Sequence, residues 1–226
     1  RNGERHLFWG AKKVNGEWST PHGIGKPVNT GSWEAQPSFS SDGRALYFAS
    51  NRPGGYGGKD IWVSYLDDKM QWSEPKNLGP NVNTKFDDQC PFIHADNQTL
   101  YFTSNGWPGL GNGDIFMARK TDTSWTTAEN IGYPINTEND DNGLTVSYDG
   151  KMAFLASNRA GGFGGLDIYR FELPEKVQPQ KITYIKGTVK DAYSKQLLNA
   201  EYTIIDLSSQ RQLLSGNTTD GVFYIS

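Results

Sequence analysis

Ser41-Asp42-Gly43-Arg44-Ala45-Leu46-Tyr47-Phe48-Ala49-Ser50-Asn51-Arg52-Pro53-Gly54-Gly55, closed by Asp60-Ile61-Trp62, decides the fold, because the chain writes it again twice. The second copy runs Ala95-Asp96-Asn97, Leu100-Tyr101-Phe102-Thr103-Ser104-Asn105 and Asp114-Ile115-Phe116. The third runs Tyr148-Asp149-Gly150, Ala153-Phe154-Leu155-Ala156-Ser157-Asn158-Arg159 and Asp167-Ile168-Tyr169. Asp42 and Asp96 are 54 residues apart, Asp96 and Asp149 53. The connecting halves keep the same register: Trp18-Ser19-Thr20-Pro21, Trp72-Ser73-Glu74-Pro75 and Trp125-Thr126-Thr127-Ala128, then Pro27-Val28-Asn29-Thr30, Asn81-Val82-Asn83-Thr84 and Pro134-Ile135-Asn136-Thr137. So many coincidences at one period mark a repeat architecture. Leu7-Phe8-Trp9 lies one period before Ile61-Trp62-Val63, so the chain opens on the tail of a fourth, incomplete unit.

One unit reads as four short strands, expected in the first complete unit near 35–40, 45–50, 60–66 and 71–78. Asp42-Gly43 is a hairpin turn, because glycine accepts positive φ. Leu46-Tyr47-Phe48-Ala49 is apolar on both faces, as in a strand covered on both sides. Gly54-Gly55-Tyr56-Gly57-Gly58 is a glycine loop leading to the next strand. Four antiparallel strands per repeat of this length describe a propeller blade, with aromatics filling the space between blades. The fold class is therefore all-β: blades over residues 1–172, three complete and one partial.

The rest of the composition excludes more than it assigns. A net charge of −3 leaves no electrostatic footprint for nucleic acid or anionic lipid. No apolar run approaches the roughly 20 residues that span a bilayer. No apolar core follows Arg1-Asn2-Gly3-Glu4-Arg5, and Gly221-Val222-Phe223-Tyr224-Ile225-Ser226 stops inside an expected strand, so the chain is expected to be a piece of a longer protein. The single Cys90 excludes an internal disulfide and a cysteine-based zinc site.

The units resemble the TolB-type propeller repeat, a relative of the WD repeat, whose pattern is S-P-D-G…L-x-F-x-S-x-R…D-I-Y. The second unit departs from it, with Asn97 for glycine and Gly106 for arginine. Residues 181–226 are different. Lys186-Gly187-Thr188-Val189-Lys190-Asp191, Leu198-Asn199-Ala200-Glu201-Tyr202-Thr203-Ile204 and Thr219-Asp220-Gly221-Val222-Phe223 are similar to the carboxypeptidase regulatory-like domain, a transthyretin-like β-sandwich, here truncated. Leu173-Pro174-Glu175-Lys176-Val177-Gln178-Pro179-Gln180, rich in Pro and Gln, is expected to be the linker. Propeller followed by sandwich is similar to the order in large OmpA-family envelope proteins, including the PorE-like proteins of type IX secretion. That resemblance implies a periplasmic, outer-membrane-associated scaffold with envelope proteins as partners. It would reach peptidoglycan only through a domain outside these residues.

Asp42, Asp96 and Asp149 are expected to build turns, and Asp60, Asp114 and Asp167 to hold the glycine loops. Glu34, Asp88 and Asp141 recur just before the innermost strand and would point to the channel or its rim. With Asp87 and Asp140 beside them, Asp88 and Asp141 are the positions that admit a calcium ion, the only cofactor considered. Only His6, His22 and His94 exist, out of register, and no G-x-S-x-G elbow is present, which excludes a serine hydrolase. A glycan-hydrolysing or glycan-binding propeller requires carboxylates such as Asp88 and Asp141 to converge in the channel. A peptidase's gating propeller requires a hydrolase domain elsewhere. The sequence is expected to form a non-catalytic scaffold with Tyr56, Trp107 and Phe163 on equivalent glycine loops, and Arg52 and Arg159, as partner contacts. Cys90, aligned with Gln36, is expected to be a buried small hydrophobe.

Overall fold

The computed structural model describes residues 6–9, 13–14, 17–182, 185–218 and 221–225. It divides into two compact units, Arg1–Lys181 and Ile182–Ser226. Unit 1 opens with short strands: β1 (Phe8–Trp9) pairs with β4 (His22–Gly23), and β2 (Lys13–Val14) with β3 (Glu17–Trp18). Three antiparallel sheets follow. The first is β5 (Glu34–Phe39), β6 (Ala45–Ser50), β7 (Asp60–Tyr65) and β8 (Lys76–Asn77); the second is β9 (Asp88–Ile93), β10 (Thr99–Ser104), β11 (Asp114–Arg119) and β12 (Glu129–Asn130). The third has three strands, β13 (Asp141–Val146), β14 (Met152–Ser157) and β15 (Asp167–Glu172). Successive first strands β5, β9 and β13 lie side by side, so the sheets radiate as blades of a propeller arc.

The middle strands explain the composition. All six residues of β6 and of β10 are buried. A strand covered on both faces by neighbouring blades tolerates no polar alternation, hence Leu46-Tyr47-Phe48-Ala49 and Leu100-Tyr101-Phe102. Between the first two blades Tyr47 meets Trp125 edge-on at 6.1 Å, in a cluster with Ile61, Val63, Val82, Phe102 and Phe116. In β15, by contrast, half-buried and exposed residues alternate.

Two expectations are corrected here. The third blade was expected to be complete, but among the described residues it has no fourth strand; in the first two blades that strand is only two residues long, preceded by the bridges Leu66–Trp72 and Lys120–Trp125. The segment 173–180 was expected to be a linker and is part of unit 1. Leu173, before a 3-10 turn at Glu175–Val177, and Val177, its last residue, are buried with Ile115, Met117 and Leu144. Tyr101 donates its hydroxyl to the Val177 carbonyl at 2.6 Å, Arg119 donates to that of Gln178 at 2.8 Å, and the Gln180 N–H reaches Asp96 at 2.8 Å. Proline and glutamine in that segment signal an irregular path, and two apolar anchors are enough to fix it.

Unit 2 consists of two ladders, β16 (Ile185–Thr188) with β19 (Val222–Ile225) and β17 (Glu201–Asp206) with β18 (Arg211–Asn217). Tyr202 and Phe223 stack at 5.1 Å and join the two ladders. A side chain on Gly187 would meet the Phe223 ring, and one on Gly216 the Tyr202 ring, so both positions need glycine for close approach. Thr219 and Asp220, which carry part of the sandwich resemblance, lie outside the described residues.

Candidate functional site

The repeated polar residues are taken up inside the blades. Asp42 accepts from Ser40 and the Arg44 N–H, Asp96 from the Gln98 and Thr99 N–H groups, Asp149 from Ser147 and the Lys151 N–H. Each closes its own hairpin turn, with Gly43, Asn97 and Gly150 at positive φ; asparagine replaces glycine in the second turn because it too tolerates that region. Burial opposes ionisation of Asp96, but bonds from His94, Gln98 and Thr99 outweigh it and hold the carboxyl well below the usual range. His94, buried, reaches the Ser147 carbonyl at 3.2 Å and links the second blade to the third.

Glu34, Asp88 and Asp141 are fully buried rather than turned to the channel. Each accepts from the backbone N–H and the hydroxyl of the threonine four residues earlier: Thr30, Thr84 and Thr137. Arg52 then pairs with Glu34 at 3.3 Å and Arg159 with Asp141 at 2.6 Å. The same guanidinium groups donate to the Val28 and Ile135 carbonyls at 2.5 and 2.7 Å, and lie over Phe48 and Tyr169. Both arginines were expected to meet partners; they are blade joints instead.

The second blade lacks this cation. Gly106 stands at the arginine position, and the Trp107 indole N–H takes over the bond to the carbonyl, at Val82, 2.9 Å away. An indole brings no charge, so Oδ1 of Asp88 is buried with no hydrogen-bond partner among the described residues. Burial pushes the Asp88 carboxyl up, and the Asp60 charge adds to this, against the nearby Ser104 hydroxyl and the Thr84 bonds. Trp107 is half-buried against the core between the first two blades and is not an exposed contact.

The glycine loops hold the exposed chemistry. Asp60 accepts from the Tyr56 and Gly57 N–H groups at 2.5 and 3.2 Å, Asp114 from Leu110 and Gly111 at 2.9 and 3.0 Å, and Asp167 from Phe163 and Gly164 at 2.8 and 3.3 Å. The equivalent positions are therefore Tyr56, Leu110 and Phe163, each four residues before its aspartate, and all three side chains are exposed. Leu110 escaped the sequence reading because residue type was compared rather than spacing to the aspartate. Gly57 and Gly111 let each loop lie against the backbone at 84–86 and 137–139 of the next blade, where any Cβ would collide. Exposed Phe86 belongs to the first of these stretches, and Leu110 and exposed Tyr133 line one recess with Thr137, Glu138 and Asn139.

A recess of about 250 Å³ lies where the first strands meet, lined by Gln36, Pro37 and Ser38, by Cys90, Pro91 and Phe92, and by Gly143, Leu144 and Thr145. Its lining carries no carboxylate and no imidazole. Each first strand breaks register here on a residue at positive φ: Gln36, Cys90 and Gly143 at 57°, 51° and 64°. The Gln36 side chain donates to Cys90 Sγ and accepts from the Cys90 N–H, both at 3.0 Å. Cys90 is half-buried on this wall rather than in the core, and burial pushes its thiol up. Only Gly143 hinted at these bulges in the sequence.

Among the described residues no three of His, Cys, Asp and Glu gather where they could hold a metal. Of the calcium positions, Asp87 binds the Lys59 ammonium and its N–H, Asp88 and Asp141 are held as above, and the Asp140 N–H donates to Asn158. No described helix is long and apolar enough to cross a membrane.

No family model and no curated protein matches the chain. Among solved structures it is similar to TolB from Acinetobacter baumannii, with 15% identity over 90% of this chain and 47% of that one and a TM-score of 0.48. A TolB from Agrobacterium tumefaciens gives 18% identity over 72% and 56%, TM-score 0.46. An alpha-L-arabinofuranosidase from Lactobacillus brevis gives 17% over 69% and 56%, TM-score 0.43. The chain spans about half the length of each of these proteins.

Proposed function

We propose that this chain is a non-catalytic interaction module of a bacterial envelope protein, and that it meets its partner through the loop tips Tyr56, Leu110 and Phe163. One observation carries the reading: in each blade the aspartate locks the glycine loop through two N–H bonds and so presents an exposed apolar side chain from a rigid support. Rigid apolar anchors lose little entropy on binding, which is what an interaction surface needs. The carboxylates that a glycan hydrolase would need are buried joints, and the channel recess offers no acid or base. A periplasmic, outer-membrane-associated place within an OmpA-family or type IX secretion protein, with the second unit as a regulatory-like sandwich, completes the proposal; it rests on the sequence resemblance.

Photo-crosslinking tests it. A photoreactive residue at Tyr56, Leu110 or Phe163 in the native bacterium is expected to capture one envelope protein from all three positions. Capture of cytosolic proteins, or of nothing, would overturn the proposal.

A further inference from the structure

The two joints between the three blades carry opposite charge beside the glycine loops. Two lysines are built into the first joint. Lys59, just before Asp60, places its ammonium 2.5 Å from Asp87 and 5.4 Å from the centre of the Trp33 ring. Lys85, just after Thr84, has its ammonium 5.2 Å from the centre of the Phe86 ring. In the second joint the matching positions are Gly113, before Asp114, and Glu138, after Thr137. Both cations are gone, and a carboxylate stands in place of one of them. Asp140 matches Asp87 and has lost its lysine. Among the described residues no cation or hydrogen-bond donor meets the carboxylate of Glu138 or of Asp140. The Arg159 guanidinium is already held by Asp141 at 2.6 Å and by the Pro134 and Ile135 carbonyls at 3.1 and 2.7 Å.

At this second joint the recess of Leu110, Tyr133, Thr137, Glu138 and Asn139 has a volume of about 470 Å³, room for a long side chain. Leu110 is 56% exposed. Tyr133, which follows Gly132 where Pro80 follows Gly79, is 80% exposed. The recess therefore combines an aliphatic wall, an aromatic ring and an unpaired carboxylate. Leucine and tyrosine suit a methylene stem, and a ring beside a carboxylate suits a positive charge at the end of that stem. A neutral occupant would leave the Glu138 charge without a counterpart.

We infer that this recess receives a lysine or arginine side chain of the partner protein, with the stem against Leu110 and the charge between Tyr133 and Glu138. The first joint satisfies the same chemistry from within, by Lys59 on Asp87 and Trp33. Opposite charge at two otherwise equivalent joints fixes which of them meets the basic group. The inference rests on the loop-tip reading of function and adds to it the sign of the charge that the partner brings to Leu110.

Nuclear magnetic resonance on the isotope-labelled full chain tests it. The probe is the blocked tripeptide acetyl-Gly-Lys-Gly-amide, and the control is the same peptide with norleucine, which keeps the stem without the charge. The lysine peptide is expected to shift the amides of Leu110, Tyr133, Glu138 and Asn139 saturably and to leave those of Tyr56, Lys85 and Phe86 in place. Norleucine should bind about tenfold more weakly. Glu138→Gln should weaken the lysine peptide about fivefold, and Glu138→Lys, which copies the first joint, should abolish its binding. Neither variant should move the melting temperature, since the Glu138 side chain is exposed. The inference is overturned if the recess amides do not shift, if norleucine binds as well as lysine, if Glu138→Lys binds as the parent chain does, or if maltose, a neutral disaccharide, shifts those amides and the lysine peptide does not. An envelope protein captured at Leu110 beside a silent recess would keep the loop-tip surface and overturn this inference alone. A lysine-specific shift with nothing captured in the bacterium would support the recess chemistry and overturn the loop-tip partner.

Discussion

At the scale of single residues, the informative position is the one where the repeat breaks. Glu34 and Asp141 each have an arginine; Asp88 has Trp107 in its place and an orphaned oxygen. In the folded chain the Asp88 carboxyl keeps its proton to a higher pH than the ordinary carboxylate value of about 3.9. The folded state therefore binds more protons than the unfolded one above that pH, and stability falls as pH rises through the window between the two values. Asp88→Asn keeps an oxygen for Thr84 and removes the charge. Its melting temperature should exceed that of the parent chain at pH 7, and the difference should shrink as pH falls toward 4. Thermal melts across that range check it; a gap independent of pH contradicts it. Arg52→Ala does the reverse, leaving buried Glu34 with only Thr30 and the His6 imidazole, and should cost about 3–5 kcal/mol in a denaturant titration. None of this was legible in residue type alone. A recurring Asp/Glu and Arg read equally as a surface pair, a ligand funnel or a buried joint, and only burial separates them.

At the scale of elements, the segments after the fourth strands, residues 78–83 and 131–136, do what strand pairing does elsewhere: Asn83 accepts the Ile61 N–H and donates to its carbonyl, and Asn136 does the same for Ile115. Fourth strands of two residues cannot close a blade by themselves. The asparagine side chain imitates a neighbouring backbone, filling the N–H and C=O of the third strand that would otherwise be buried unpaired. Asn83→Ala should leave the Ile61 N–H without a partner and its carbonyl with the Leu78 N–H alone, and cost about 1–3 kcal/mol for the one buried group left unpaired. Exchange of the Ile61 amide should accelerate more than that of Ile115, which a residue-resolved exchange experiment reads directly. The strands themselves were plain in the sequence, because unbroken apolar runs, Asp-Gly turns and glycine loops are local signals. The first-strand bulges at Gln36 and Cys90 were not, since neither residue type announces positive φ.

At the scale of the whole molecule, the boundary lies later than composition suggested. A segment with two proline residues and two glutamines looked like a spacer, yet Val177 covers Tyr101 and Gln178 takes Arg119. Chains ending at 172 and at 181 should therefore differ. The shorter one strips the cover from Tyr101 and Met117 and should melt well below the longer one, whose unit 1 is intact; equal melting temperatures would restore the linker. The repeat period made the propeller readable because a blade buries its faces only against its neighbours, so every unit must carry the same joints. Of the proposed loop-tip surface, Tyr56 and Phe163 are marked by residue type in the sequence, Leu110 only by its spacing to Asp114, and Trp107 lies apart from it because its indole has replaced an arginine.

Scaffold and enzyme part company on one comparison: the triple variant Tyr56→Ala, Leu110→Ala, Phe163→Ala, measured for binding to the crosslinked envelope partner and for melting temperature on the same preparation. A surface built from locked loop tips predicts that binding is lost while the melting temperature stays within a few degrees of the parent chain, since exposed substitutions change stability by only about 0.5 kcal/mol. Undiminished binding, or a melting temperature that collapses along with it, would contradict that surface and return Tyr56, Leu110 and Phe163 to the packing of the blades.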